Sequence, residues 1–196
     1  MKIRTILGAS ILLLVSGQVN AALINFDDLS AGTFLTDQYA SNGIIFDGTW
    51  IHDGLSPPRG SVPNWISGEE VTNNNSNPSA ISGYFVNPSN LSQNAITDYF
   101  EILSAYVDSD TTVTLEVFDL DGLSLGSRPR TGSSGILSLS VTNIHSFPLS
   151  HINSGWNGID DVIGFDNIVF NDVSLPNPEP QTSSQSRQPS GYSAQH

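Results

Sequence analysis

The chain of 196 residues contains no cysteine. That excludes disulfides, thiolate zinc sites, a cysteine nucleophile and lipid attachment at a processed N-terminal cysteine. Basic residues are almost as scarce, with 6 Lys and Arg against 19 acids and a formal net charge of −13. A field of that sign repels nucleic acid and anionic membrane and attracts cations. Helical periodicity is missing too, since no window of a dozen residues after Ala21 carries a convincing 3.6-residue pattern. No internal repeat or heptad is present. Catalytic signatures are thin. His52, His145 and His151 are scattered, and neither a His-Glu-x-x-His nor a Gly-x-Ser-x-Gly motif nor a phosphate-cradling loop occurs. Catalytic residues: none are assigned, and the chain reads as a non-enzyme.

The first residues have a different character. Lys2 and Arg4 precede the apolar run Ile6 to Val15, and Val19-Asn20-Ala21 offers small residues for cleavage. Residues 1–21 read as a secretory signal peptide, too short in its apolar part for a comfortable membrane span. The chain is expected to be secreted and not membrane-inserted. Cleavage after Ala21 would leave 4 basic residues (Arg59, Arg128, Arg130 and Arg187) against 19 acids, a net charge of −15 with no lysine. Residues 22–175 form one expected domain. The Pro-, Ser- and Gln-rich residues 176–196 cannot repay the entropy of ordering and read as a disordered tail.

Two segments near the ends of the domain echo each other: Ile24-Asn25-Phe26-Asp27-Asp28-Leu29 and Ile163-Gly164-Phe165-Asp166-Asn167-Ile168. Each reads as a strand carrying an acid among hydrophobes, and such an acid must be paired, hydrogen-bonded or metal-bound. The two ends are expected to meet, with Asp27, Asp28 and Asp166 as ligands of a structural calcium ion. Hydrogen bonds to loop amides without an ion are the alternative. Further acids fall in pairs at Asp160-Asp161 and at Asp108 with Asp110.

Between these ends the pattern is β. Val113, Leu115 and Val117 alternate with Thr112, Thr114 and Glu116, and Leu137, Leu139 and Val141 alternate with serine and threonine. Ile24 to Asp27, Gly43 to Asp47, Ile81 to Val86, Tyr99 to Val107 and Ile163 to Phe170 are further expected strands. Asp119-Leu120-Asp121-Gly122 between two apolar runs reads as a hairpin turn and not as a calcium loop. Many short strands punctuated by Gly, Asn and Pro predict an all-β antiparallel β-sandwich of jelly-roll type.

Asp47 to Ser79 departs from this regularity. It is polar and rich in Gly, Pro and Asn, and it holds Trp50, His52, Trp65, Glu69, Glu70 and the run Asn73-Asn74-Asn75. Trp50, Trp65 and Trp156 suit stacking on sugar rings, with Asn73, Asn74 and Asn157 supplying hydrogen bonds to hydroxyls. Core packing is the competing role for each tryptophan.

The order of these phrases resembles a known type. The signal peptide, Ile24 to Leu29, Ala31-Gly32-Thr33 and Tyr39-Ala40-Ser41-Asn42-Gly43-Ile44-Ile45-Phe46 are followed by the Val113 to Gly122 unit and Ile159 to Ile168. This resembles the exported jelly-roll domains of bacterial PEP-CTERM proteins, and Pro178-Glu179-Pro180 falls where that family places its signal. The family's apolar helix and basic cluster do not follow, so free release is expected. The resemblance implies a setting in cell-surface or matrix polysaccharide and no fixed activity. The expected function is a secreted, non-catalytic binding module for extracellular polysaccharide or surface glycan. A structural or adhesive matrix protein is the first alternative, and a glycan-cleaving enzyme is the second.

Overall fold

The computed structural model describes residues 21–53, 64–68, 80–107, 109–153 and 163–177. The expected signal peptide up to Asn20, and the tail from Pro178 onward, lie outside them. The strands are β1 Ala21–Ile24, β2 Phe34–Leu35, β3 Ile44–Phe46, β4 Thr49–His52, β5 Trp65–Ser67, β6 Ile81–Asn87 and β7 Asn90–Asn94. They continue as β8 Thr97–Tyr106, β9 Thr111–Phe118, β10 Ser124–Thr131, β11 Gly135–Ile144, β12 Ser146–Asn153 and β13 Gly164–Asn171. Among the described residues the only helical element is a 3-10 turn at Ala40–Asn42.

All strand pairs are antiparallel and form two sheets. One runs β11-β8-β13-β5-β4-β2, with β1 also on β13; the other runs β10-β9-β12-β6-β3, with β7 on β6. Numbered consecutively, β5, β6 and β8 to β13 give the orders 6-3-8-1 and 5-4-7-2. That is the double Greek key of a jelly roll, so the expected fold class is the observed one.

The core lies between the sheets. Without disulfides it depends on aromatic burial: Phe26, Phe46, Phe85, Phe100, Phe147 and Phe170 are fully buried. Each such side chain contributes about 1.5–3 kcal/mol of transfer free energy. In β9, residues Thr111, Val113, Leu115 and Val117 are buried while their neighbours are half-exposed, as the period-2 pattern predicts. The Asp119 to Gly122 turn is a hairpin. Its amides at Asp121 and Leu123 donate to the Asp119 carboxylate, and Gly122 takes φ +76°.

The two ends of the domain do meet, but through backbone. β1 lies along β13 with Ala21 to Ile24 opposite Asn171 to Ile168. The first strand therefore ends at Ile24, before its acids. Phe26 sits in the left-handed region at φ +62° and turns its ring into the core against Tyr39 and Phe46. Such a backbone persists only where its surroundings over-determine it. Asn64 supplies that determination, its side-chain amide donating to the carbonyls of Phe26 (2.8 Å) and Leu29 (2.7 Å). In β13 the register shifts between Asp166 and Val169, with Asn167 at φ +47°. This bulge changes the strand's parity, so Phe165, Ile168 and Phe170 are all buried in the core.

Candidate functional site

β4 and β5 emerge from the irregular stretch that the sequence marks out. In β4, Thr49 and Ile51 are buried while Trp50 and His52 are only half-buried on the outer sheet face. Register places Trp50 opposite Ser67 and His52 opposite Trp65, so all four side chains share that face. Phe34 of β2 lies opposite Trp50, their ring centroids 4.9 Å apart at 58°. Phe34 is 46% exposed. A Cβ on Gly48, itself at φ +73°, would lie 3.0 Å from the tip of the Phe34 ring. Glycine at 48 thus seats Phe34 on the backbone turn.

Beside this pair lies a second, stacked one. Trp65 is 4% exposed and stacks on His52, with centroids 4.5 Å apart at 27°. The Ser67 hydroxyl bonds His52 Nε2 at 2.7 Å. The backbone of Gly164 crosses the same indole so closely that a Cβ there would lie 2.7 Å from it. The Trp65 faces are therefore occupied by protein, and its expected role as a sugar platform is corrected to that of a floor beneath the site. Its buried indole N–H has no hydrogen-bond acceptor among the described residues.

The remaining residues expected at the site divide clearly. Trp156, Asn73, Asn74 and Asn157 lie outside the described residues, as do Glu69, Glu70, Asp108, Asp160 and Asp161. Asp27, Asp28 and Asp166 are described but do not form one metal-binding group; among the described residues no cluster of three or more His, Asp or Glu is placed to hold a metal ion. Asp27 accepts from the Asn25 side chain (3.0 Å) and the Asn64 amide (3.1 Å). Asp28 accepts from the Tyr39 hydroxyl at 2.5 Å. Asp166 is fully buried in β13 and accepts from the Asn167 amide at 2.7 Å. The acids of the first segment thus make hydrogen bonds that fasten the turn after β1.

The Tyr39 phenol is held well above its ordinary pKa of 10.0, first by burial, then by its bond to Asp28 and the negative charge of Asp28 and Asp27. The folded state therefore favours the neutral phenol. Its contribution is complete below pH 10.0 and is lost as pH rises from there toward the folded value. Tyr39→Phe is expected to flatten the fall in urea midpoint above pH 10.0 relative to the parent chain. An unchanged alkaline slope would remove Tyr39 from this role.

A second concavity lies at the other end of the sandwich. A cavity of about 460 Å³ is lined by Thr97, Asp98, Asn143, Asn171 and Asp172 among others, and a neighbouring one of about 380 Å³ by Asp119, Asp121 and Asn143. Both mix acids with aliphatic residues such as Ile96 and have none of the aromatic surface of the β2-β4-β5 face.

Sequence reasoning missed Phe34, His52 and Ser67 as parts of the site. The available signal was the alternation of Phe34 with buried Leu35 and of Trp50 and His52 with buried Ile51. Those runs are two to four residues long, below the length at which alternation is diagnostic.

No family model matches the chain, and no curated protein does. Among solved structures it is similar to a DUF4465 family protein from Bacteroides caccae ATCC 43185, at 11% identity and a TM-score of 0.42 over 77% of this chain and 98% of that one. It is also similar to a DUF4465 family protein from Bacteroides ovatus ATCC 8483, at 10% identity and a TM-score of 0.44 over 80% of this chain and 100% of that one.

Proposed function

We propose that this chain is a secreted, non-catalytic binding module for extracellular glycan, and that the Phe34–Trp50 pair is its stacking platform. One observation carries the reading: two aromatic rings stand side by side on the outer face of a sheet, one of them 46% exposed. A pyranose offers apolar C–H faces that match an aromatic plane, and a paired aromatic surface on an outer sheet face is suited to receive one. In sequence, Asn73 and Asn74 follow β5 and Trp156 and Asn157 precede β13, and these residues would supply the hydroxyl contacts. The proposed setting is the surface or matrix polysaccharide of the PEP-CTERM type. Calcium, if it takes part, needs ligands beyond Asp27, Asp28 and Asp166.

The second reading is a structural or adhesive matrix protein without specific sugar binding, favoured by the burial of Trp65. A glycan array probed with the exported chain in millimolar calcium, then in EDTA, separates the two. The proposal expects signal on a defined sugar class, lost in Phe34→Ala and Trp50→Ala at unchanged melting temperature. A blank array in both conditions would replace it with the structural reading.

A further inference from the structure

We propose that β11 is a self-association edge, on which a second copy of this chain adds its own β11 antiparallel across a twofold axis. β11 ends the larger sheet and, among the described residues, pairs only with β8, in regular register from Gly135 to Ser140 before a shift toward Ile144, with no strand bonded to its other side. Its sequence from Gly135 to Ile144 contains no charge and no proline, and Ile136 is 56% exposed. Open edges of this kind template strand addition, and natural sheets blunt them with charge, proline, bulges or brevity. Among the described edges most others are blunted in those ways, and β7 (Asn90–Asn94), which is uncharged, has only five residues. β10 carries Arg128, Pro129, Arg130 and a register shift at Gly126, while β2 and β3 have only two and three residues.

Charge selects the occupant. Copies of a chain with net charge −13 repel over most of their surfaces. β11 is neutral, and the adjacent β10 holds two of the 6 basic residues. Arg130 also donates to the Ser133 and Ser134 carbonyls, in the turn that enters β11. The edge strand itself therefore adds no like-charge repulsion between two copies. Antiparallel pairing of identical strands is isologous, so assembly closes at two.

The test uses sedimentation velocity on the exported chain and single cysteines introduced into a cysteine-free background. A concentration-dependent dimer is expected. Ile136→Lys with Ser140→Lys should weaken it about tenfold or more by opposing like charges across the axis, at unchanged melting temperature. Oxidation should cross-link Ser138→Cys or Ser140→Cys but not Leu120→Cys in the β9–β10 turn. A monomer at every concentration, equal dimerisation of the lysine variant, or equal cross-linking at Leu120 would each overturn the proposal.

Discussion

Replacing Phe147 by alanine is expected to cost about 3–5 kcal/mol, the range for a buried phenylalanine truncated in a well-packed core. Its ring stacks on Phe100 with centroids 4.3 Å apart and also meets Phe46 and Phe85. The loss should be large because the site cannot collapse. On one side stands Gly83, where a Cβ would come within 2.8 Å of the Phe147 ring and 2.7 Å of the Ile45 carbonyl. The backbone has already closed on the ring there, and removing the ring leaves a cavity bounded by fixed strands. At roughly 2–4 °C per kcal/mol for a chain of this size, melting should fall by about 6–20 °C. A loss below about 1 kcal/mol in urea unfolding would mean that the sheets re-pack and that the core is not the rigid support described here.

Asn64→Ala is expected to cost about 2–4 kcal/mol by a different route. The side-chain amide of Asn64 satisfies the carbonyls of Phe26 and Leu29, and the Asn64 residue itself is 3% exposed. Alanine leaves both carbonyls without that donor and removes the clamp on a phenylalanine at φ +62°. Asp27→Asn keeps an oxygen toward the Asn64 amide and should cost less. The order of the two urea midpoints checks the assignment. If Asp27→Asn were the worse variant, the turn would depend on the carboxylate charge, and an ion at that position would return as the explanation.

The long strands were legible because burial on one face enforces a period of two, as in Val113, Leu115 and Val117. The meeting of the two ends was also legible from their echo, although not its means. Acids beside Phe26 and Phe165 drew attention to an ion, and the sequence pattern did not show that β1 pairs with β13 through backbone. Asp27 and Asp28 lie past the end of a strand that the left-handed turn at Phe26 terminates, and no local pattern announces a non-glycine residue there. β10 was hidden in part by Pro129, which argues against a central strand and is tolerated on an edge. At the site, Trp50 and Trp65 were chosen together for chemistry, yet their fates differ by register alone. Trp65 opposes His52 and is covered, while Trp50 opposes Ser67 and Phe34 and is only half-buried.

The most direct measurement is the indole proton–nitrogen NMR spectrum of this chain, with its three tryptophans assigned by Trp→Phe variants and titrated with the glycan class that the array identifies. The account predicts that the Trp50 signal moves with saturation and that Phe34→Ala abolishes the movement, while Trp65 shifts little. A bound glycan that leaves the Trp50 signal in place would contradict it and move the binding surface away from β2 and β4.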